Sequence, residues 1–226
     1  MAESETGPDL SRSIEDYLKT IYKLELEAES AQTSAIAEAL SIAPPSVSGM
    51  VKRLAEVGLV EHTPYRGVQL TETGRRQALK MLRRHRVLES YLIAELGYDW
   101  HNVHDEAERM EHAVSDGLIA RMAEALGNPT YDPHGAPIPT AAGSVEEAEF
   151  VRMSDIEAGA EAVLRMVGDS DSERLKFIAS LGLRPGVKFT VTARQPFKGP
   201  ITVRLEDERQ EVIGHELAAS LRCEVA

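Results

Sequence analysis

Between His104 and His112 the chain reads His-Asp-Glu-Ala-Glu-Arg-Met-Glu-His, and no other stretch constrains the fold as much. At about 100° per residue on a helix, His104, Glu108, Glu111 and His112 share an arc of roughly 100°. Imidazole nitrogens and carboxylate oxygens together suit a borderline-to-hard divalent metal ion. A companion pair lies upstream, His85 and Glu89, at i and i+4. Two helices that each carry such a stripe are expected to face one another across a metal site. The alternative for such acidic stretches is a solvated, charged helix face.

The net charge of -12 argues against a nucleic-acid partner until its distribution is considered. Residues 1–43 carry three Lys/Arg and nine Asp/Glu, whereas 44–86 carry nine Lys/Arg and only Glu56, Glu61 and Glu72 as acids. A local block of +6 between acidic flanks is the footprint of a phosphate-contacting surface. The helices that it contains fit that use. Ser11 to Leu26 reads as a first helix, with Ser13 as the expected N-cap, Asp16 in its first turn, and Ile14, Tyr17, Leu18, Ile21 and Tyr22 as an apolar stripe. Locally, Asp16 reads as a capping carboxylate. Thr33 or Ser34 is expected to cap a short helix to Leu40, and Pro44-Pro45 to open another that ends before Gly58.

Helix, tight turn, helix at this spacing is a helix-turn-helix pattern. Val47, Met50, Val51 and Leu54 form its core face. Ser34, Pro45, Ser46, Ser48, Gly49, Lys52 and Arg53 are the expected DNA-facing residues, small ones near base edges and the two cations on phosphates. A ribbon, Val60–Thr63 and Val68–Thr71, follows, with Tyr65 and Arg66 at the tip of a wing. Thr71 or Thr73 caps a long helix to about Leu96, and Ser115 to Leu126 reads as a helix whose apolar stripe suits a core or a dimer interface.

Gly127 to Gly143 is a proline-punctuated, non-regular connection. Beyond it, helices are expected near Ala158–Met166 and Asp171–Leu181, and strands at Ala148–Val151, Lys188–Thr192 and Ile201–Leu205, which would suit a small SH3-like barrel. Cys223 is the single cysteine, so neither a disulfide framework nor a Cys-based zinc site is available. Met1 to Ser11 is acidic and polar, unlike a signal peptide, and no apolar run is long enough to span a bilayer. A cytoplasmic location is expected.

Taken together, these motifs resemble the diphtheria-toxin-repressor family of metal-dependent transcriptional regulators. The resemblance runs from Glu15 to the C-terminus. It is carried by Glu15–Tyr22, Ile36–Leu40, Pro45–Ser48, Arg84-His85-Arg86 with Glu89, Val103–His112 and Gly135–Pro139. The implied fold is mainly α: a winged helix-turn-helix over 1–75, a helical metal-binding and dimerisation domain over 76–143, and an SH3-like β-barrel domain over 144–226, similar to one in ferrous-iron transport proteins. The implied function is a repressor that binds palindromic operator DNA as a homodimer when loaded with metal. Neither a membrane nor a small organic substrate is implied.

The resemblance also implies two metal ions per subunit. It places Asp16, Glu108, Glu111 and His112 at a primary site, and His85, Glu89 and His104 at an ancillary one, with Asp169 and Asp171 as candidate third-domain ligands. Iron-type members carry Met and Cys where Asp16 and Glu108 stand, so the hard donors here point to Mn²⁺, with Fe²⁺ as the alternative. Short manganese-type members carry Glu where Lys19 stands, and iron-type members carry a base-contacting Gln where Gly49 stands. Two competing readings are a helical di-metal carboxylate enzyme and a winged-helix regulator with an organic effector. No histidine has Glu three residues before it, as di-iron bundles require, and an effector would call for an apolar pocket.

Overall fold

The computed structural model describes residues 10–26, 28–63, 66–146, 149–168 and 171–225. It divides into two compact units, one of Met1–His85, Glu111–Val114 and Pro139–Val145, the other of Arg86–Met110, Ser115–Ile138 and Glu146–Ala226.

The first unit is built on α1 (Arg12–Glu25), α2 (Thr33–Ala39), α3 (Pro44–Glu56) and a ribbon of β1 (Val60–Thr63) and β2 (Gly67–Leu70). The apolar stripe of α1 is buried as its 3.6-residue period requires, with Leu18 and Ile21 fully enclosed. It shares one core with Ile36 of α2, Val47, Val51 and Leu54 of α3, and Leu79 and Leu82 of the next helix. The N-cap of α1 is Ser11 rather than Ser13, and that of α2 is Gln32 rather than Thr33 or Ser34. Both are extended residues without a side-chain capping bond, so the first turns rest on backbone geometry alone. Pro44 and Pro45 occupy the first turn of α3, where no intrahelical acceptor is lost, and Gly58 follows the helix at φ 73°.

The ribbon pairs antiparallel, Val60 with Leu70 and Thr63 with Gly67. Ala31 adds a bridge to Val68 from the outer side. Gly67 (φ 101°) strongly disfavours a side chain, since a Cβ there would lie 2.9 Å from the Ala31 carbonyl oxygen. Glu25 binds the ribbon to α1: its carboxylate accepts from Leu70 N at 2.6 Å and pairs with Arg75 at 3.1 Å.

The long helix α4 (Glu72–Leu96) begins at Thr71, whose Oγ1 accepts from Gly74 N. The second unit takes the later turns of α4, then α5 (Val103–Met110) and α6 (Asp116–Ala125), capped by the Ser115 side chain. Its larger part is a six-stranded antiparallel sheet in the order β3-β8-β4-β5-β6-β7. These strands are β3 (Val151–Arg152), β4 (Glu161–Met166), β5 (Lys188–Arg194), β6 (Ile201–Leu205), β7 (Gln210–Ile213) and β8 (Arg222–Val225), with α7 (Ser172–Ser180) and α8 (His215–Ser220) between them. The SH3-like module is thus an open sheet, its edge strands β3 and β7 unpaired with each other.

One expected helix is a strand. Glu161–Met166 is made mostly of good helix formers, Val163 excepted, but Ala162 and Leu164 alternate inward with period two, and the segment pairs with both β5 and β8. Central pairing and burial outweigh propensity there. Strands β7 and β8 and helix α8 have no counterpart in the sequence reading.

Candidate functional site

In the first unit, Asp16 stands on α1, while Glu111 and His112 lie in the turn after α5, because that helix ends at Met110 rather than running on to His112. One ligand atom from each of Asp16, Glu111 and His112 falls within 4.8 Å of the others. His112 Nε2 is 2.9 Å from Asp16 Oδ1 and 3.4 Å from Glu111 Oε1. Neither approach is aligned as a hydrogen bond, and Nε2 is a buried nitrogen without a hydrogen-bond partner. Such an atom normally finds a partner in a native protein. A divalent ion held by these nitrogen and oxygen donors would supply one, so the residues fit a metal.

Glu111 is fully buried. Its Oε1 pairs with Lys19 Nζ at 2.5 Å and its Oε2 with His85 Nδ1 at 2.6 Å. Burial pushes this carboxyl up, but the His85 hydrogen bond and the nearby Lys19 charge outweigh it and hold it below the ordinary value. Glu15 accepts from His112 Nδ1 at 2.7 Å and pairs with Arg84 at 3.3 Å. The sequence reading did not single out Glu15 or Arg84 as site residues. The signal was their adjacency to Asp16 and His85.

In the second unit, the fully buried Glu89 lies between two imidazoles. Its Oε1 is 3.2 Å from His104 Nδ1 and its Oε2 3.7 Å from His134 Nδ1. His104 Nε2 is 3.7 Å from Glu108. His134 was also missed, because Asp132-Pro133-His134-Gly135 read only as a rigid connection. It is wholly buried, its Nε2 2.9 Å from the Trp100 carbonyl oxygen. Burial pulls this imidazole down, but the Glu89 carboxylate, with Asp132 and the Trp100 carbonyl, outweighs it and raises it above the ordinary histidine value.

The loop is held in place by Asp132 Oδ1, which accepts from His134 N and Ala136 N. Gly135 makes a close approach to β4, since a Cβ there would lie 1.7 Å from Arg165 O. Asp171 caps α7 by accepting from Arg174 N at 2.9 Å and joins no ligand-spaced group among the described residues. Asp169 lies outside the described residues.

On α3, Pro45, Ser46, Ser48, Gly49, Lys52 and Arg53 are all exposed, opposite the buried Val47, Val51 and Leu54. Ser34 and Arg66 are exposed too, while Tyr65 lies outside the described residues. Ser30 Oγ donates to Arg66 O at 2.5 Å, which anchors the base of the wing. A cleft runs from Asp16 and Tyr17 of α1 past Leu40 and Ile42 to Ser46 and Met50 of α3. Among the described residues no helix is long and apolar enough to cross a membrane.

Residues 9–68 match the iron-dependent-repressor N-terminal DNA-binding domain, 71–140 the iron-dependent-repressor metal-binding and dimerisation domain, and 151–225 the FeoA domain. The iron-dependent repressor IdeR of Mycobacterium tuberculosis is 32% identical over 231 residues, covering 96% of this chain and 98% of the relative. A manganese-dependent transcriptional repressor solved in complex with manganese is similar with a TM-score of 0.87 at 37% identity, over 94% of this chain and 100% of that one. The manganese regulator SloR gives a TM-score of 0.79 at 30% identity, over 96% and 100%.

Proposed function

Since the chain belongs to the iron-dependent repressor family of metal-dependent transcriptional repressors, we propose that manganese(II) is the ion to which it responds. It is a DNA-binding repressor and not an enzyme, it carries the family's dimerisation domain, and its partner is operator DNA. The proposed primary ligands are Asp16, Glu108, Glu111 and His112. The proposed second set is His85, Glu89 and His104, which gives two ions per subunit. His134 faces the other oxygen of Glu89 as a neighbour of that set and joins no ligand-spaced group among the described residues. Asp169 and Asp171 stay as third-domain candidates, and the three domains are taken as 1–75, 76–143 and 144–226. The regulated genes are proposed to serve manganese or iron uptake.

One observation carries the reading: the buried, partnerless His112 Nε2 faces two carboxylates, with no sulfur in the donor set. Thiolate and thioether ligands select softer ions, while carboxylates suit Mn²⁺. Mn²⁺ stands lowest in affinity among the divalent first-row metals, so it must be preferred over Zn²⁺ by geometry, an octahedral oxygen-rich environment against a tetrahedral one. When bound, the ion supplies the positive charge that these carboxylates share.

Asp16 sits on α1, which shares its core with α2 and α3. Holding Asp16 against the turn at Glu111 and His112 therefore restrains the helix that presents Ser46, Ser48, Lys52 and Arg53. With Ser34, Pro45, Gly49, Tyr65 and Arg66, these form the proposed DNA surface. In a dimer, that restraint sets the spacing of two such helices on a palindrome.

The test is binding to a promoter palindrome with Mn²⁺, with Fe²⁺ and in excess chelator. Tight binding with Mn²⁺, weaker with Fe²⁺ and weakest in chelator is expected. Equal affinity in chelator and in Mn²⁺ would remove the metal-gated reading. Activation by Fe²⁺ where Mn²⁺ leaves the protein inactive would overturn the manganese assignment alone.

A further inference from the structure

The imidazole of His112 meets a carboxylate of α1 at each of its two nitrogens. Nδ1 is 2.7 Å from Glu15 Oε2 and forms an aligned hydrogen bond. Nε2 is 2.9 Å from Asp16 Oδ1 but makes no hydrogen bond. A neutral imidazole has one N–H, so a strong acceptor at one nitrogen leaves the lone pair on the other. Glu15 is not free to swing away, because Arg84 Nη1 lies 3.3 Å from its other oxygen, Oε1. The three side chains are 13%, 19% and 9% exposed for Glu15, Arg84 and His112, so water competes weakly for these bonds.

We propose that Glu15, oriented by Arg84, is a positioning residue of the metal centre. Its carboxylate holds the proton of His112 on Nδ1 and leaves the Nε2 lone pair facing Asp16 and Glu111. Helix α1 then contributes twice to one ring, a ligand in Asp16 and an orienting group in Glu15. Loss of an orienting partner behind a ligating histidine commonly costs about 10- to 100-fold in metal affinity. The inference rests on the metal-centre reading above and deepens it.

The chemistry of Arg84 makes the test sharp. In Glu15→Gln the guanidinium, a donor only, takes the amide oxygen. The amide NH₂ then faces Nδ1 and favours the other tautomer, with the proton on Nε2. Adding Arg84→Met frees the amide oxygen to accept from Nδ1 again. Manganese binding by calorimetry is therefore expected to weaken about 10- to 100-fold in Glu15→Gln and to recover most of that loss in Glu15→Gln/Arg84→Met. A pair with a merely structural role gives losses that accumulate in the double variant, and that result overturns the proposal.

A second measurement needs no variant to fold except as an assignment control. Full-length protein with ¹⁵N-labelled histidine, titrated with diamagnetic Zn²⁺ in place of manganese, is expected to show His112 protonated on Nδ1, with the metal-sensitive resonance on Nε2. The signal is assigned by its loss in His112→Ala. A proton on Nε2 in the wild type overturns the proposal. The underlying reading fails differently: if wild-type protein binds no Mn²⁺, or His112→Ala binds it as tightly, the metal centre itself is misplaced. Unaltered binding by Glu15→Gln with intact wild-type binding removes only the positioning role.

Discussion

Glu111 in the first unit and Glu89 in the second are both fully buried, yet the groups that face them differ in kind. Glu111 meets an ammonium, Lys19, at one oxygen and the His85 ring at the other. Glu89 is flanked by the rings of His104 and His134. An ammonium keeps its charge through the neutral range, whereas an imidazole has an ordinary value of about 6.5 and changes charge there. The first carboxylate thus has a resident cation at one oxygen, whereas the second has an imidazole near each of its oxygens. A buried carboxylate alone does not say how its site behaves without metal; the counter-charge does.

The largest expected effect separates the two groups functionally. His112→Ala should reduce manganese-dependent operator binding by about 100-fold and Glu89→Ala by about 10-fold, both inside the usual range of coupling between two sites. Gel-shift titrations in Mn²⁺ and in chelator measure this, and equal losses would abolish the distinction between a primary and a second site.

Next comes the resident cation. Lys19→Met leaves Glu111 buried without its ammonium, which should cost the metal-free protein about 3 kcal/mol of stability. Denaturant unfolding in chelator measures it. A loss under about 1 kcal/mol would mean that Lys19 is not what compensates Glu111.

The two groups should also respond oppositely to pH in metal-free protein. The Glu111 carboxyl is held below its ordinary 4.5, so its contribution is present above that value and is lost as the pH falls through the lowered one. His134 is raised above 6.5, so its contribution is present below 6.5 and is lost as the pH rises through the raised value. Each tenfold change in a group's proton affinity on folding is worth about 1.4 kcal/mol. Melting temperatures across the pH range should lose their acid-side slope in Glu111→Gln and their alkaline-side slope in His134→Phe. A single variant that removed both slopes would show that the groups titrate as one.

The smallest expected effect concerns Asp171. As a helix cap only, Asp171→Ala should cost about 1 kcal/mol and leave the manganese response unchanged. A weakened manganese affinity in calorimetry would make Asp171 a ligand as well as a cap.

How much of this was legible in the chain follows from the range of the forces involved. The winged helix could be read because its signals are local: a 3.6-residue apolar stripe in α1, Pro44-Pro45 at the head of α3, Gly58 at its end, and a short antiparallel ribbon. The helix formers of β4 were misleading for the same reason, since only pairing with β5 and β8 makes Glu161–Met166 a strand. Residue types and spacings by themselves were enough to nominate Glu108, Glu111, His112, His85, Glu89 and His104 as ligands, whereas Asp16 read as a cap and entered the set only through the family resemblance. They were silent on the partners. Glu15 and His112 are 97 residues apart, Lys19 and Glu111 92, and Arg84 and Glu15 69. A side chain's counter-charge and its hydrogen-bond direction are properties of neighbours in space, and only the folded chain decides which distant residues become neighbours.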